Sequence, residues 1–446
     1  MCITMYISLI VVYRGEKYTL IYGDISMLKH NSLNKLIFST KVLIPALAFF
    51  VSSTVIGDES YSQTPLTLKA SEVLPAGMLK GLAYEVDDEV INDGLVNIYT
   101  ITSDYGSFEA EGTAELRMRI AEIKAIGLME EMDKKEVFGD SLKAGVKAPF
   151  KGAAALVTEP VETGKAAAKG VGQMLSNIGR SFVSDDPDQD NALSVAVGYD
   201  AVKRKFAHEL DVNPYSDNEI FRDQLGKVSK AAVAGGIAPR LAMAAVDSTV
   251  ITVARLTGTT KAMKELVRDN PPGKLDKINR KKLEAMGVSD SLAEEFIDNY
   301  TYDPFEETLL VGGLEAMQGV AGRANFIAVA NKATESSVAR YYRLMAQMIE
   351  QYHTNIKVVK EIRNIEGVIH LFSGDGVVVI IAPVDYVFWT PGLDNKLYDF
   401  DSALREVEGI KSKEIWVAGQ FDKIPRQQFI NNGWKVIENA EVALSK

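Results

Sequence analysis

Three side chains near the C-terminus are of the types that acid–base chemistry uses: His370, Asp375 and Asp385. An imidazole within reach of a carboxylate can move protons near neutral pH, so these residues form the candidate catalytic set. The chemistry they would support is a carboxylate- and histidine-dependent hydrolysis. Each also has a plainer reading. His370 alternates with Val368 and Phe372, as a half-buried strand residue does, and Asp375 sits inside Ser-Gly-Asp-Gly, a turn sequence in its own right. The neighbouring Asp394, Asp399 and Asp401 serve equally well as helix caps.

Two other acidic stretches raise the question of a metal. In "DPDQDN", Asp186, Asp188 and Asp190 alternate as calcium ligands do. Asn191 stands where a calcium loop needs glycine and Val197 where it needs a bidentate glutamate, so the run reads first as a solvated linker, with calcium the one cofactor to consider. "HELDV" around His208 and Glu209 has Val212 in place of the second histidine of a zinc-protease helix. No phosphate-binding glycine loop, nucleophile elbow or Cys/His zinc spacing occurs.

The frame that must position these residues is 446 residues long, with 47% apolar and 24% charged residues, enough for two or three domains with sizeable cores. A net charge of −11 argues against a general nucleic-acid binder. Near the N-terminus, Lys29, Lys35 and Lys41 precede an uncharged apolar run from Val42 to Ile56, and Val55 and Gly57 give a signal-peptidase spacing. The run is short for a membrane span and holds Pro45, so residues 1–57 read as a secretory signal, with an uncleaved anchor as the alternative. Residues 1–26 are unusual ahead of such a signal, and Met27 is a candidate initiator. Cleavage would remove five basic residues (Arg14, Lys17, Lys29, Lys35, Lys41), two acidic ones (Glu16, Asp24) and Cys2, the single cysteine. An exported, disulfide-free protein of the periplasm or cell envelope is the expected setting.

Residues 141–183 repeat every eleven residues, which is three helical turns and keeps one face in line. Columns such as Leu142, Ala153, Gly164 and Leu175 are apolar or small throughout, while Lys143, Lys147, Lys151, Lys165, Lys169 and Arg180 occupy other columns. With Phe150 and Phe182 on the apolar side, these are the candidate lipid- or partner-binding residues. The pattern resembles the eleven-residue amphipathic repeats of apolipoproteins and other lipid-surface proteins, a resemblance of pattern alone over about a tenth of the chain. It implies contact with an anionic lipid surface or a partner protein. The small residues of the face fit packing on the protein's own helices as well, and Pro149 and Pro160 divide the stretch into short segments.

Elsewhere, "GLVNIYTITSDYGSFEAEG" alternates as a β-hairpin, and Leu116, Ile120, Ile123 and Ile126 mark an amphipathic helix. Ser216 and Glu219 suggest a capping box, and helical patterns fill 195–362, the last of them at 335–362. After 364, two strands joined by Ser-Gly-Asp-Gly precede a strand–helix–strand pattern. The expected fold is mainly α, with an N-terminal hairpin and helix (58–140), the repeat segment (141–183), a helical body (184–363) and a small C-terminal α/β domain (364–446). The expected function is an envelope-associated helical binding or scaffold protein. The alternative is a hydrolase sited in the C-terminal domain, and a secreted effector or toxin is a third class the sequence does not separate from these.

Overall fold

The computed structural model describes residues 61–63, 65–133, 192–235 and 258–445. The signal-like segment, the eleven-residue repeat with its basic residues and phenylalanines, the aspartates at 186, 188 and 190, and a helix expected at 238–256 lie outside the described residues. Tyr61–Lys446 forms one compact unit.

The chain enters through β1 (Thr67–Lys69) and two short helices, α1 (Ala70–Val73) and α2 (Ala76–Leu79). β2 (Tyr84–Val86), β3 (Glu89–Asn92), β4 (Asn97–Ser103) and β5 (Gly106–Glu111) complete an antiparallel sheet. In it β4 pairs with β5 on one edge and with β3 and β2 on the other. Burial alternates along β4, with Asn97, Tyr99 and Ile101 inward. The inner face closes against Leu116, Ile120 and Ile123 of α3 (Thr113–Asp133).

The same helix serves a second core. Ala125, Ile126 and Met129 pack with Val202 and Phe206 of α4 (Ala192–Glu209) and with Phe221, Leu225 and Val228 of α5 (Glu219–Gly235). Arg119 and Glu122 meet Asp217 and Asn218 at the start of α5 while Met129 lies among the α5 apolar residues, so α3 and α5 run parallel. α4 turns back through 210–218 and runs antiparallel to α5, with the Tyr199 hydroxyl donating to Gly226 O at 3.5 Å. The C-terminus of α3 and the N-terminus of α4 therefore lie at the same end of this bundle. The expected Ser216 cap is corrected: Asn218 Oδ1 accepts the Phe221 amide, and Ser216 Oγ holds the Asn218 amide.

The helical body continues with α6 (Gly258–Asp269), α7 (Pro272–Ala285), α8 (Asp290–Ile297), α9 (Pro304–Ala316), α10 (Arg323–Ala330) and α11 (Ser336–Asn355). Asp303 caps α9 ahead of Pro304, and Ser289 caps α8.

The chain then forms β6 (Val359–Ile365), β7 (Val368–Ser373), β8 (Val377–Ala382) and the two-residue β9 (Tyr386–Val387). α12 (Pro391–Leu404), β10 (Ser412–Val417), β11 (Gln420–Phe421), α13 (Lys423–Asn431), β12 (Trp434–Ile437) and α14 (Ala440–Leu444) follow. The sheet order is β12-β10-β8-β7-β6. The β6–β8 part is an antiparallel meander, and β8, β10 and β12 are parallel, with α12 and α13 as crossovers. Val377, Val379 and Ile381 face the helical body, whereas Val378 faces α12 and α13. Cover on both faces explains the unbroken apolar run of β8.

Two differences from expectation follow. The stretch expected as one helix over 335–362 ends at Asn355, and β6 starts at Val359. The residues before 95 also supply strands. Two five-stranded sheets among the described residues make the fold mixed α+β, not mainly α.

Candidate functional site

The three candidate catalytic residues belong to three separate environments. Asp375 lies in the turn after β7, and Asp385 lies beyond the opposite end of β8. Six residues of β8 alone, at about 3.3 Å each, hold the two ends apart.

Asp385 is enclosed. Its Oδ2 accepts the Asn97 amide and its Oδ1 the Thr113 amide, both at 3.0 Å. Its own amide donates to Leu95 O at 3.0 Å, and Phe388 N donates to Gly94 O at 2.9 Å. Thr113 opens α3, so the carboxylate sits on a helix N-terminus, where the backbone N–H groups and dipole favour an anion. Burial pushes the Asp385 carboxyl up, and the donors from Asn97 and Thr113 oppose that. A polar chain continues inward: Asn92 Nδ2 reaches Asn97 Oδ1 at 2.7 Å and Tyr386 O at 3.1 Å, Asn97 Nδ2 reaches the Tyr99 hydroxyl, and that hydroxyl meets Thr113 Oγ1 at 2.8 Å. Burial raises the Tyr99 phenol strongly. Gly419 backs the loop, and a Cβ there would overlap Asp385 O. The two bonds to the Asp385 carboxylate, those from its amide and the Phe388 amide, and the Asn92 bond to Tyr386 O join the N-terminal region to the C-terminal one, so Asp385 acts here as a clamp.

His370 is buried on β7, edge-on to the Phe400 ring at 5.2 Å, with Nδ1 3.2 Å from Val368 O. Burial lowers its pKa, and Arg363 adds to that. Asp375 is exposed and bonds Ser373 Oγ and Lys357 Nζ, which hold its carboxyl down to about 2. No hydrogen bond or ion pair joins His370 to either aspartate among the described residues.

Sequence reasoning missed a buried ionic belt. Arg119 of α3 pairs with Glu115 at 3.0 Å, Glu122 at 3.1 Å and Asp217 at 2.7 Å. Glu115 passes the chain to Arg340 of α11 at 2.7 Å, and Arg343 forks onto Glu306 of α9 at 2.6 and 3.3 Å. Glu122 also accepts from Ser216 Oγ at 2.5 Å and Asn218 Nδ2 at 3.0 Å. Burial raises Glu115, and Arg340 and Arg119 oppose it. Beside the belt, Asn279 Nδ2 donates to the buried Glu307 at 2.8 Å, and burial pushes Glu307 up to about 8. Asp303, which caps α9, is pushed up to about 6, first by burial and then by Glu306. The signal was present in the i, i+4 and i, i+3 spacing of Glu115, Arg119 and Glu122, but those spacings are equally those of a solvated face.

An open recess of about 250 Å³ lies where α4 ends against α6, lined by Arg204, His208, Asp211, Lys264, Arg268 and Phe305, with Val212, Pro214 and Val267 between them. Glu209 ends α4, and Asp211 turns the chain with φ 54°. "HELDV" is therefore a helix end, with Val212 buried. Lys264 Nζ reaches Asp211 at 2.6 Å, Arg268 forks onto Asp269 at 2.7 and 2.8 Å, and Arg268 Nη1 lies 3.5 Å from His208 Nε2. Burial and Arg268 lower the His208 pKa.

No group of three His, Cys, Asp or Glu among the described residues could hold a metal ion, and no described helix is long and apolar enough to cross a membrane. No family model matches the chain, and neither a curated protein nor a solved structure matches it.

Proposed function

We propose that the protein is an envelope-associated binding or scaffold module that presents residues 141–183 to an anionic lipid surface. The observation that carries this reading is the bundle geometry: α3 ends and α4 begins at the same end of a packed three-helix unit. A 58-residue excursion from Lys134 to Asn191 thus starts and finishes on one platform. The basic residues at 143, 147, 151, 165, 169 and 180 would supply the electrostatic part of the contact, and Phe150 and Phe182 the apolar part. The clamp role of Asp385 supports a scaffold over a catalyst, because the best-placed carboxylate of the C-terminal region is already committed to two backbone amides. Export to the periplasm or cell envelope belongs to the same proposal and rests on the signal-like N-terminus.

Flotation of the full chain with phosphatidylglycerol vesicles, beside a variant lacking 141–183, tests the reading. The full chain is expected to float at low salt, to release at high salt, and to lose flotation with the deletion. Equal flotation of the two proteins, or none from the folded full chain, would overturn it.

A further inference from the structure

We propose that the recess between α4 and α6 is a binding site for a phosphate-type oxyanion, centred on Arg204. The buried arginines are not paired alike. Among the described residues four arginines are more than nine-tenths buried, at 8% exposure for Arg119, 6% for Arg204, 7% for Arg340 and 8% for Arg343. Three of them lie within 3.0 Å of a carboxylate oxygen: Arg119 on Glu115 and Asp217, Arg340 on Glu115, and Arg343 on Glu306. Arg204 has no carboxylate within 4.0 Å among the described residues. Its Nε donates to Arg268 O at 3.3 Å, and the Tyr215 phenol beside it is neutral at physiological pH, its pKa pushed up to about 12 by burial first. A desolvated charge is costly without a counter-charge, so a guanidinium left in this state is set to take an anion from outside.

The surroundings define the anion. Arg204 lines the recess together with Lys264 and Arg268, which puts three cationic side chains around one opening. Asp211 and Asp269 pair directly with Lys264 and Arg268 respectively, Glu209 and Glu265 also act on Arg268, and Lys205 acts on Asp269. Arg204 is the cation of the recess with no direct carboxylate partner among the described residues. His208, its pKa lowered by burial and by Arg268, adds no lasting positive charge at neutral pH but offers a ring nitrogen to the same space. A planar guanidinium presents paired N–H donors that match two oxygens of a phosphate, and an ammonium 2.6 Å from a partly exposed carboxylate can shift to a third. Val212, Pro214, Val267 and Phe305 give the opening an apolar side. The charge and donor pattern admits inorganic phosphate, and at the open mouth a phosphate monoester or the phosphate of a phospholipid headgroup. The site does not depend on residues 141–183.

Titration calorimetry of the full chain with inorganic phosphate at constant ionic strength is the test, with chloride as the control. Saturable heat from phosphate is expected, with Arg204→Gln weakening binding about 10-fold or more, as loss of a charge-assisted fork does. Lys264→Gln, at the rim, is expected to weaken it less and serves as the second variant if Arg204→Gln fails to fold. Absence of saturable heat from the wild-type chain, or wild-type affinity in whichever variants fold cooperatively, would overturn the proposal. Competition separates the sources. Displacement of phosphate by glycerol 3-phosphate and not by phosphatidylglycerol vesicles marks a soluble ligand, and displacement by both marks a lipid headgroup.

Discussion

Asp385 Oδ1 accepts the amide of Thr113 at 3.0 Å, across a sequence separation of 272. The other oxygen takes Asn97 at the same distance, so one carboxylate pins both the first turn of α3 and the start of β4. The buried belt repeats this logic deeper in the molecule, where Glu115 holds Arg119 of its own helix and Arg340 of α11. Acidic residues of this chain thus join segments that are far apart in sequence.

Breaking the belt on one side is expected to cost far more than removing both partners. Arg343→Met leaves Glu306 buried without its fork and should destabilise by about 3–5 kcal/mol, whereas Glu306→Gln with Arg343→Met should recover much of that loss. Urea unfolding of the two single variants and the double variant measures the coupling.

Glu307 gives the protein a stability that declines with rising pH. Its folded pKa of about 8 exceeds the ordinary value of 4.5, so the native state keeps the proton longer than the unfolded chain does. The contribution is complete below about pH 4.5 and is lost as pH rises through about 8. Glu307→Gln, which keeps an acceptor for Asn279, should flatten the fall in melting temperature over that window.

His370 works in the opposite sense. Its folded pKa lies below 6.5, so its stabilising effect is present above pH 6.5 and is lost as pH falls through the folded value. His370→Phe should remove this acid-side loss, and chemical denaturation between pH 5 and pH 7 reads it. A steeper acid-side loss in the variant would contradict the buried, neutral assignment.

Gly419→Ala should destabilise by about 2 kcal/mol or more, because the added methyl would overlap the carbonyl oxygen of Asp385. Thermal unfolding of this variant beside Gly374→Ala, whose methyl meets nothing within 4 Å, separates the close approach from a general glycine effect.

The periodic parts of the fold were legible from residue types. Leu116, Ile120, Ile123 and Ile126 are all buried along α3, and the strand–turn–strand patterns around "SDYG" and "SGDG" are β4–β5 and β7–β8. The strand at 359–365 was not, since "VVKEIRNI" continues a helical pattern from 336 and nothing marks the break except the β-branched pair Val358-Val359. Short strands such as β1 and β2, three residues each, carry too little alternation to read. The partners of Asp385 were illegible for a different reason. A carboxylate that caps a helix 272 residues away leaves no local pattern, so its type alone suggested chemistry. Arg204 is the same case inverted: a lysine- and arginine-rich helix end looks solvated until packing buries it.

The measurement that tests the clamp role of Asp385 most directly is native-state hydrogen exchange on the full chain, comparing wild type with Asp385→Ala. The account predicts faster exchange at the amides of Asn97 and Thr113 together with Tyr386, Phe388 and Gln420, because both sides of the junction open when the clamp is lost. Unchanged protection at Asn97 and Thr113 would contradict it and would return Asp385 to the list of residues available for chemistry.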